Sequence, residues 1–190
     1  MVNAIYPLDK YKKCKKFLIR DEVGVVMAET TTFSLFQFAF WPSTRDHLTQ
    51  TLKSTYRLEM VPKIGGLFQE KKYVLIAIDP LKFWLVFFQA DISLPEMNPD
   101  IAVHLDLSHS KSLIRISGPH GERLLNQFLP VDLRETNFSQ DKVVSSAIHH
   151  VGVHLWRKRD SFNILIPRSF VASIWQLLEE SAMQYGLEVI

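Results

Sequence analysis

Alternation of apolar and polar positions organises this chain. From Ser112 to Ser117, Leu113, Arg115 and Ser117 point one way and Ser112, Ile114 and Ile116 the other. That is the period of a strand with one face in a core. Gly118 and Pro119 end it, and residues 122–129 take up helical spacing through Leu124, Leu125, Phe128 and Leu129. The same reading predicts strands near 23–28, 33–40, 72–78, 82–89, 102–107, 111–117, 143–149, 151–157 and 161–166, and a weaker one at 57–60. Helices fit 43–55, 120–129 and 169–185. Ser43, with Asp46 three residues on, suits the N-cap of the first. In the last, Phe170, Ile174, Leu177, Leu178, Ala182 and Tyr185 make one apolar stripe, and Gly186 supplies a stop. Strands mixed with a few helices, with no long βαβ series, predict an α+β fold.

An echo runs through this pattern. Phe36-Gln37-Phe38 repeats the apolar–polar–apolar order of Ile114-Arg115-Ile116 at an offset of 78. Leu48 and Leu52 match Leu125 and Leu129 at 77, and residues 82–86 (KFWLV) match 161–165 (SFNIL) at 79. Three elements in one order at nearly one offset point to a duplicated unit, although short amphipathic elements also resemble one another by chance. The reading divides the chain into an N-terminal extension, 1–22, and one domain, 23–190, made of two repeats near 23–100 and 101–190. The joint falls at 91–100, which carries Pro95 and Pro99.

A hydrophobic content of 47% over 190 residues supports a full core. The net charge of +2 says little about partners. The one dense basic run, 10–16, reads as a solvated terminal segment and lacks the basic–aromatic spacing of a nucleic-acid groove. Cys14 is the single cysteine, so no intrachain disulfide forms, in keeping with a reducing compartment. The N-terminus has no apolar core of signal-peptide length, and 73–88 is broken by Asp79, Pro80 and Lys82 into a hairpin rather than a membrane span. A cytoplasmic location is expected.

Candidate chemistry is sparse. His150 and His154 share a strand face but lie about 13 Å apart at about 3.3 Å per residue, too far for one zinc ion. His104, Asp106, Ser108 and His109 invite an acid–base reading, yet a local Ser–His neighbourhood is no triad and turn hydrogen bonds explain it more simply. No glycine-rich phosphate loop occurs, so neither flavin nor nicotinamide is expected on this chain. Catalytic, cofactor-binding and metal-binding residues are therefore all expected to be none. Arg115 on its strand and Arg168 at a strand-to-helix corner, in a Pro167-Arg168-Ser169 segment that caps the final helix, suit bidentate pairing with a carboxylate, from this chain or a partner. Trp156, beside His154 and Arg157, is the tryptophan expected at the surface.

Three segments carry a resemblance. LDLSHSKSLIRISGP (105–119), LPVDL (129–133) and IPRSFVASIWQLLEESAMQYG (166–186) resemble the γ subunit of heterotetrameric sarcosine oxidase. The similarity covers about 102–187; the first hundred residues match in general layout only, and the Lys-rich start and the 33–40 strand correspond to no motif of the family. The resemblance implies a fold similar to the folate-binding domain of the glycine-cleavage T-protein, with two related β-α-β halves and helices packed on mixed or antiparallel sheets. It implies a cofactor-free subunit of a complex that oxidatively demethylates sarcosine, with α, β and δ partners and with FAD, FMN, NAD and tetrahydrofolate held on partner subunits. Neither nucleic acid nor membrane is implied. The family supplies no catalytic residue to carry over. The rival reading is a stand-alone folate-binding or one-carbon transfer protein, for which Asp106 or Asp132 would face a pterin.

Overall fold

The computed structural model describes residues 6–11, 14–56 and 60–190. In chain order the strands are β1 (Lys15–Phe17), β2 (Val25–Thr30), β3 (Ser34–Phe40), β4 (Leu67–Gln69), β5 (Tyr73–Asp79), β6 (Lys82–Phe87), β7 (Ala102–Asp106), β8 (Lys111–Ser117), β9 (Val143–Ile148), β10 (Val151–Lys158), β11 (Ser161–Pro167) and β12 (Leu187–Val189). The helices are α1 (Arg45–Tyr56), α2 (Gly121–Leu125) and α3 (Val171–Ala182). The fold is α+β, as its alternation predicts.

One compact unit comprises the described residues up to Thr31, Ser110–Gln140 and Val144–Ile190. Its sheet runs β1-β12-β2-β8-β11-β10-β9. β12 lies parallel to β2, whereas β2–β8, β8–β11 and β11–β10 are antiparallel. Period two sends Met27, Ile114, Ile116, Ile164 and Leu155 to one face, where α2 and α3 cover them. On α3 the positions Val171, Ile174, Trp175, Leu178 and Ala182 recur at helical spacing and are buried. Each such large side chain contributes about 1.5–3 kcal/mol on burial. A 3-10 turn, Met183–Tyr185, follows α3, and Gly186 at φ 79° stops it as expected. This glycine then accepts the N–H groups of Gly24 (3.0 Å) and Val25 (2.9 Å), which fixes β12 beside β2.

The second unit comprises Thr32–His109 and Asp141–Val143. Its sheet runs β4-β5-β6-β3-β7, all neighbours antiparallel. Phe36, Phe38, Phe40, Phe83 and Leu85 pack with Leu48 and Leu52 of α1. Phe40 stacks on Phe83 at 5.0 Å, and the Arg45 guanidinium lies 5.6 Å from the Phe83 ring.

One connectivity is written twice. β3–α1–β4–β5–β6 and β8–α2–β9–β10–β11 have the same order, and the sheets share the sequence of neighbours β4-β5-β6-β3 and β9-β10-β11-β8. Register agrees with the offsets of 78 and 79: Phe36 pairs with Leu85, and Ile114 with Ile164. The strand leading into each repeat extends the other sheet, so β2 pairs with β8 and β7 with β3. The sequence halves and the compact units are thus different partitions of the chain.

Three details differ from the pattern-based expectation. The 120–129 helix is only α2, followed by turns in which Leu125 O accepts from both Phe128 and Leu129. Ser43 is not the cap of α1: Pro42–Thr44 form a 3-10 turn, and the Thr44 hydroxyl bonds Trp41 and Ile101 O instead. β1, β4 and β12, three residues each, are too short to show alternation. Of the weak 57–60 strand, 57–59 lie outside the described residues, and Met60 is irregular.

Candidate functional site

The residues singled out from sequence lie in the first unit, and two of them are neighbours. Arg115 on β8 stands opposite Asn163 on β11, and Asn163 stands opposite Trp156 on β10. All three therefore share the sheet face turned away from α2 and α3. Arg115 is exposed. Trp156 is not: it is 0% exposed, which corrects the expectation of a surface tryptophan. The reason is that β10 is an inner strand with buried residues on both faces. The exposed tryptophan is Trp41, at 62%, against 5% or less for Trp84, Trp156 and Trp175. Its position outside the alternation of β3, directly before Pro42, is the sequence signal that it has no core slot.

Arg168 sits at the β11–α3 corner as expected, half-buried, with its N–H donating to Ser110 O at 3.0 Å. It does not cap the helix; that position is Phe170, which offers no side-chain cap. Sequence reasoning passed over Arg157, which shares the face of Val153 and Leu155 and is 7% exposed. Its guanidinium donates to Phe138 O (3.2 Å), to Leu133 O and to Glu122 Oε2 (3.2 Å), and lies 4.6 Å from the Phe162 ring. This cation satisfies a buried loop rather than a ligand.

The other candidate groups are accounted for locally. Asp106 Oδ1 accepts from Ser108 N–H at 2.8 Å, and Ser108 Oγ accepts from Leu35 N–H at 3.0 Å, the turn expected there. His104 packs against Phe36 and Phe38 at 6.3 and 6.1 Å. Asp132 accepts from Arg134 Nε (2.9 Å) and from Asn137 Nδ2; these hydrogen bonds hold its carboxyl well below the usual carboxylate range. It is a loop clasp. His149, at φ 52°, and His150 form the β9–β10 turn. His154 is half-buried, and burial, then the Lys111 charge, push its pKa down to about 4. Among the described residues no group of three or more His, Cys, Asp or Glu is placed to hold a metal ion, and Cys14 is exposed.

Two features of the second unit bear on binding. A cavity of about 250 Å³ lies between α1 and the 94–98 segment, lined by Phe38, Thr51, Thr55, Tyr56, Leu94 and Met97 among others. Separately, β7 is an edge strand whose Val103 and Leu105 are 55% and 56% exposed. They stand opposite Ala39 and Gln37 on β3, the strand that runs into exposed Trp41. Three large apolar side chains along an open sheet edge form a surface suited to a protein partner. No helix among the described residues is long and apolar enough to cross a membrane.

No protein-family model matches the chain. Among curated proteins it is 29% identical over 66 residues to the sarcosine oxidase γ subunit of Arthrobacter sp., covering 35% of this chain and 32% of that protein. It is 26% identical over 87 residues to that of Corynebacterium sp. strain P-1, covering 45% and 43%. The matched segments therefore span less than half of these relatives. Among solved structures, a chain of the heterotetrameric sarcosine oxidase from Corynebacterium sp. U-96 superposes with a TM-score of 0.74 at 19% identity over 96% of both chains. The aminomethyltransferase T of the glycine cleavage system from Bartonella henselae superposes at 0.59 with 12% identity, over 93% of this chain and 56% of that one. The chain shares its fold with both, and its sequence is similar to sarcosine oxidase γ subunits.

Proposed function

We propose that this chain is a non-catalytic γ-type subunit of a sarcosine oxidase-like complex, which oxidatively demethylates sarcosine and passes the one-carbon unit to tetrahydrofolate. In this reading α, β and δ partners hold FAD, FMN, NAD and tetrahydrofolate, the complex works in the cytoplasm, and this chain holds none of those groups. Its task is burial: Trp41, Val103 and Leu105 dock on a large partner subunit and stabilise the assembly. The observation behind it is this exposed apolar strip in a chain whose sequence resembles γ subunits. Aromatic anchors of this kind contribute about 2 kcal/mol or more to an interface.

The folate-binding alternative draws on the likeness to aminomethyltransferase T. Its two nominated carboxylates, Asp106 and Asp132, are engaged in turns of their own. Co-expression with the products of neighbouring genes, followed by size-exclusion chromatography, tests the subunit reading: co-elution with a large flavin-binding chain supports it, and a monomer that ignores every partner refutes it. Calorimetry of the isolated chain with tetrahydrofolate tests the alternative, which requires micromolar binding.

A further inference from the structure

Across three neighbouring strands the sheet of the first unit presents a row of hydrogen-bond donors without acceptors. Trp156, Asn163 and Arg115 are successive cross-strand partners on one face. The Trp156 indole Nε1 and the Asn163 Nδ2 are buried, and neither has a hydrogen-bond partner among the described residues. Trp156 is 0% exposed and Asn163 4%. The exposed guanidinium of Arg115 likewise makes no side-chain hydrogen bond or ion pair among the described residues. Buried polar groups are nearly always paired, and an orphan costs about 1–3 kcal/mol. Two adjacent orphans of one polarity, beside an unpaired cation, mark a missing acceptor.

We propose that Arg115, Asn163 and Trp156 form a binding site for a small carboxylate, entered at Arg115. A carboxylate brings acceptor sites and no donors, whereas a water adds two donors to a row whose one side-chain acceptor is Asn163 Oδ1. Its planar pair of oxygens matches the guanidinium fork. On the same face Leu113 and Leu165, both 0% exposed, favour a monoanion with an apolar body over a strongly hydrated dianion. Lys158 adds to the positive field: burial, then Arg159 and Arg115, push its pKa down.

Nitrogen-15 NMR of the full chain, titrated with sodium acetate and sodium benzoate against sodium chloride at matched ionic strength, tests the site. Trp156→Phe and Asn163→Leu assign the two side-chain signals. The expected result is a saturable, millimolar shift of the Trp156 indole and Asn163 amide resonances, with benzoate binding tighter than acetate. Arg115→Ala should weaken binding at least about tenfold. Arg115→Lys, which keeps the charge but loses the fork, should also weaken it. Because Arg115 is exposed, both variants should retain the wild-type spectrum elsewhere. Resonances that do not move, that move equally with chloride, or that move equally in Arg115→Ala overturn the proposal. So does a site that Arg115 variants disturb only in a complex with a partner chain, which would make the acceptor a partner's side chain.

Discussion

Replacing Arg157 by methionine should cost about 3–5 kcal/mol of folding stability, the range for removing one partner of a buried charged network. Methionine keeps the apolar stem against the core but removes every donor. Leu133 O and Phe138 O then lose the guanidinium in a buried setting, at about 1–3 kcal/mol for each acceptor left without a donor. The cation over Phe162 adds about 0.5–2 kcal/mol. Relief from desolvating the charge offsets part of this sum. The Glu122 carboxylate is a different case: its side chain is 36% exposed, so the ion pair is worth about 0–1 kcal/mol. Glu122→Gln should therefore be nearly silent. Urea unfolding of the two variants checks the contrast. If Arg157→Met stays within about 1 kcal/mol of wild type, the argument that this arginine satisfies the 133–138 loop is wrong.

Other perturbations follow from particular contacts. Gly24→Ala should destabilise by about 1–3 kcal/mol, because a Cβ there would strike the Tyr185 carbonyl and come within 2.6 Å of His120 Cδ2; thermal unfolding measures it. His154 has a folded pKa of about 4, below its ordinary 6.5, so the unfolded chain binds more protons between those values. Its contribution is present above pH 6.5 and is lost as pH falls towards 4, up to about 3 kcal/mol. His154→Gln should flatten that part of a stability–pH profile; an unchanged slope contradicts the burial argument. Trp41→Ala should leave the melting temperature nearly unchanged, since the side chain is exposed, yet weaken partner binding at least about thirtyfold.

How legible the fold was depends on element length and on how strictly one face is buried. β8 and β11 follow their pattern residue by residue, and α3 keeps one apolar stripe, so both could be placed from sequence. β12 has three residues after a glycine stop, and β1 lies in a lysine run, so neither carries a period of its own. Their existence follows from pairing, which is non-local. β10 shows why Trp156 was misplaced. Its neighbours His154 and Arg157 read as surface residues, but Arg157 is buried by hydrogen bonding to loop carbonyls, and His154 by losing its proton. Polar identity concealed burial on both faces. Trp41 was overlooked for the converse reason, since aromatic identity suggested core. The donor row from Trp156 to Arg115 is invisible in sequence, because three strands contribute one residue each.

Docking is the central claim, and native mass spectrometry of the co-expressed assembly tests it most directly. The account predicts one copy of this chain in a heteromeric complex that also contains a large flavin-bearing subunit, and loss of that copy when Val103 and Leu105 are both changed to Asp. A wild-type chain found only as free monomer, or an assembly that keeps the doubly substituted chain at full occupancy, would contradict it.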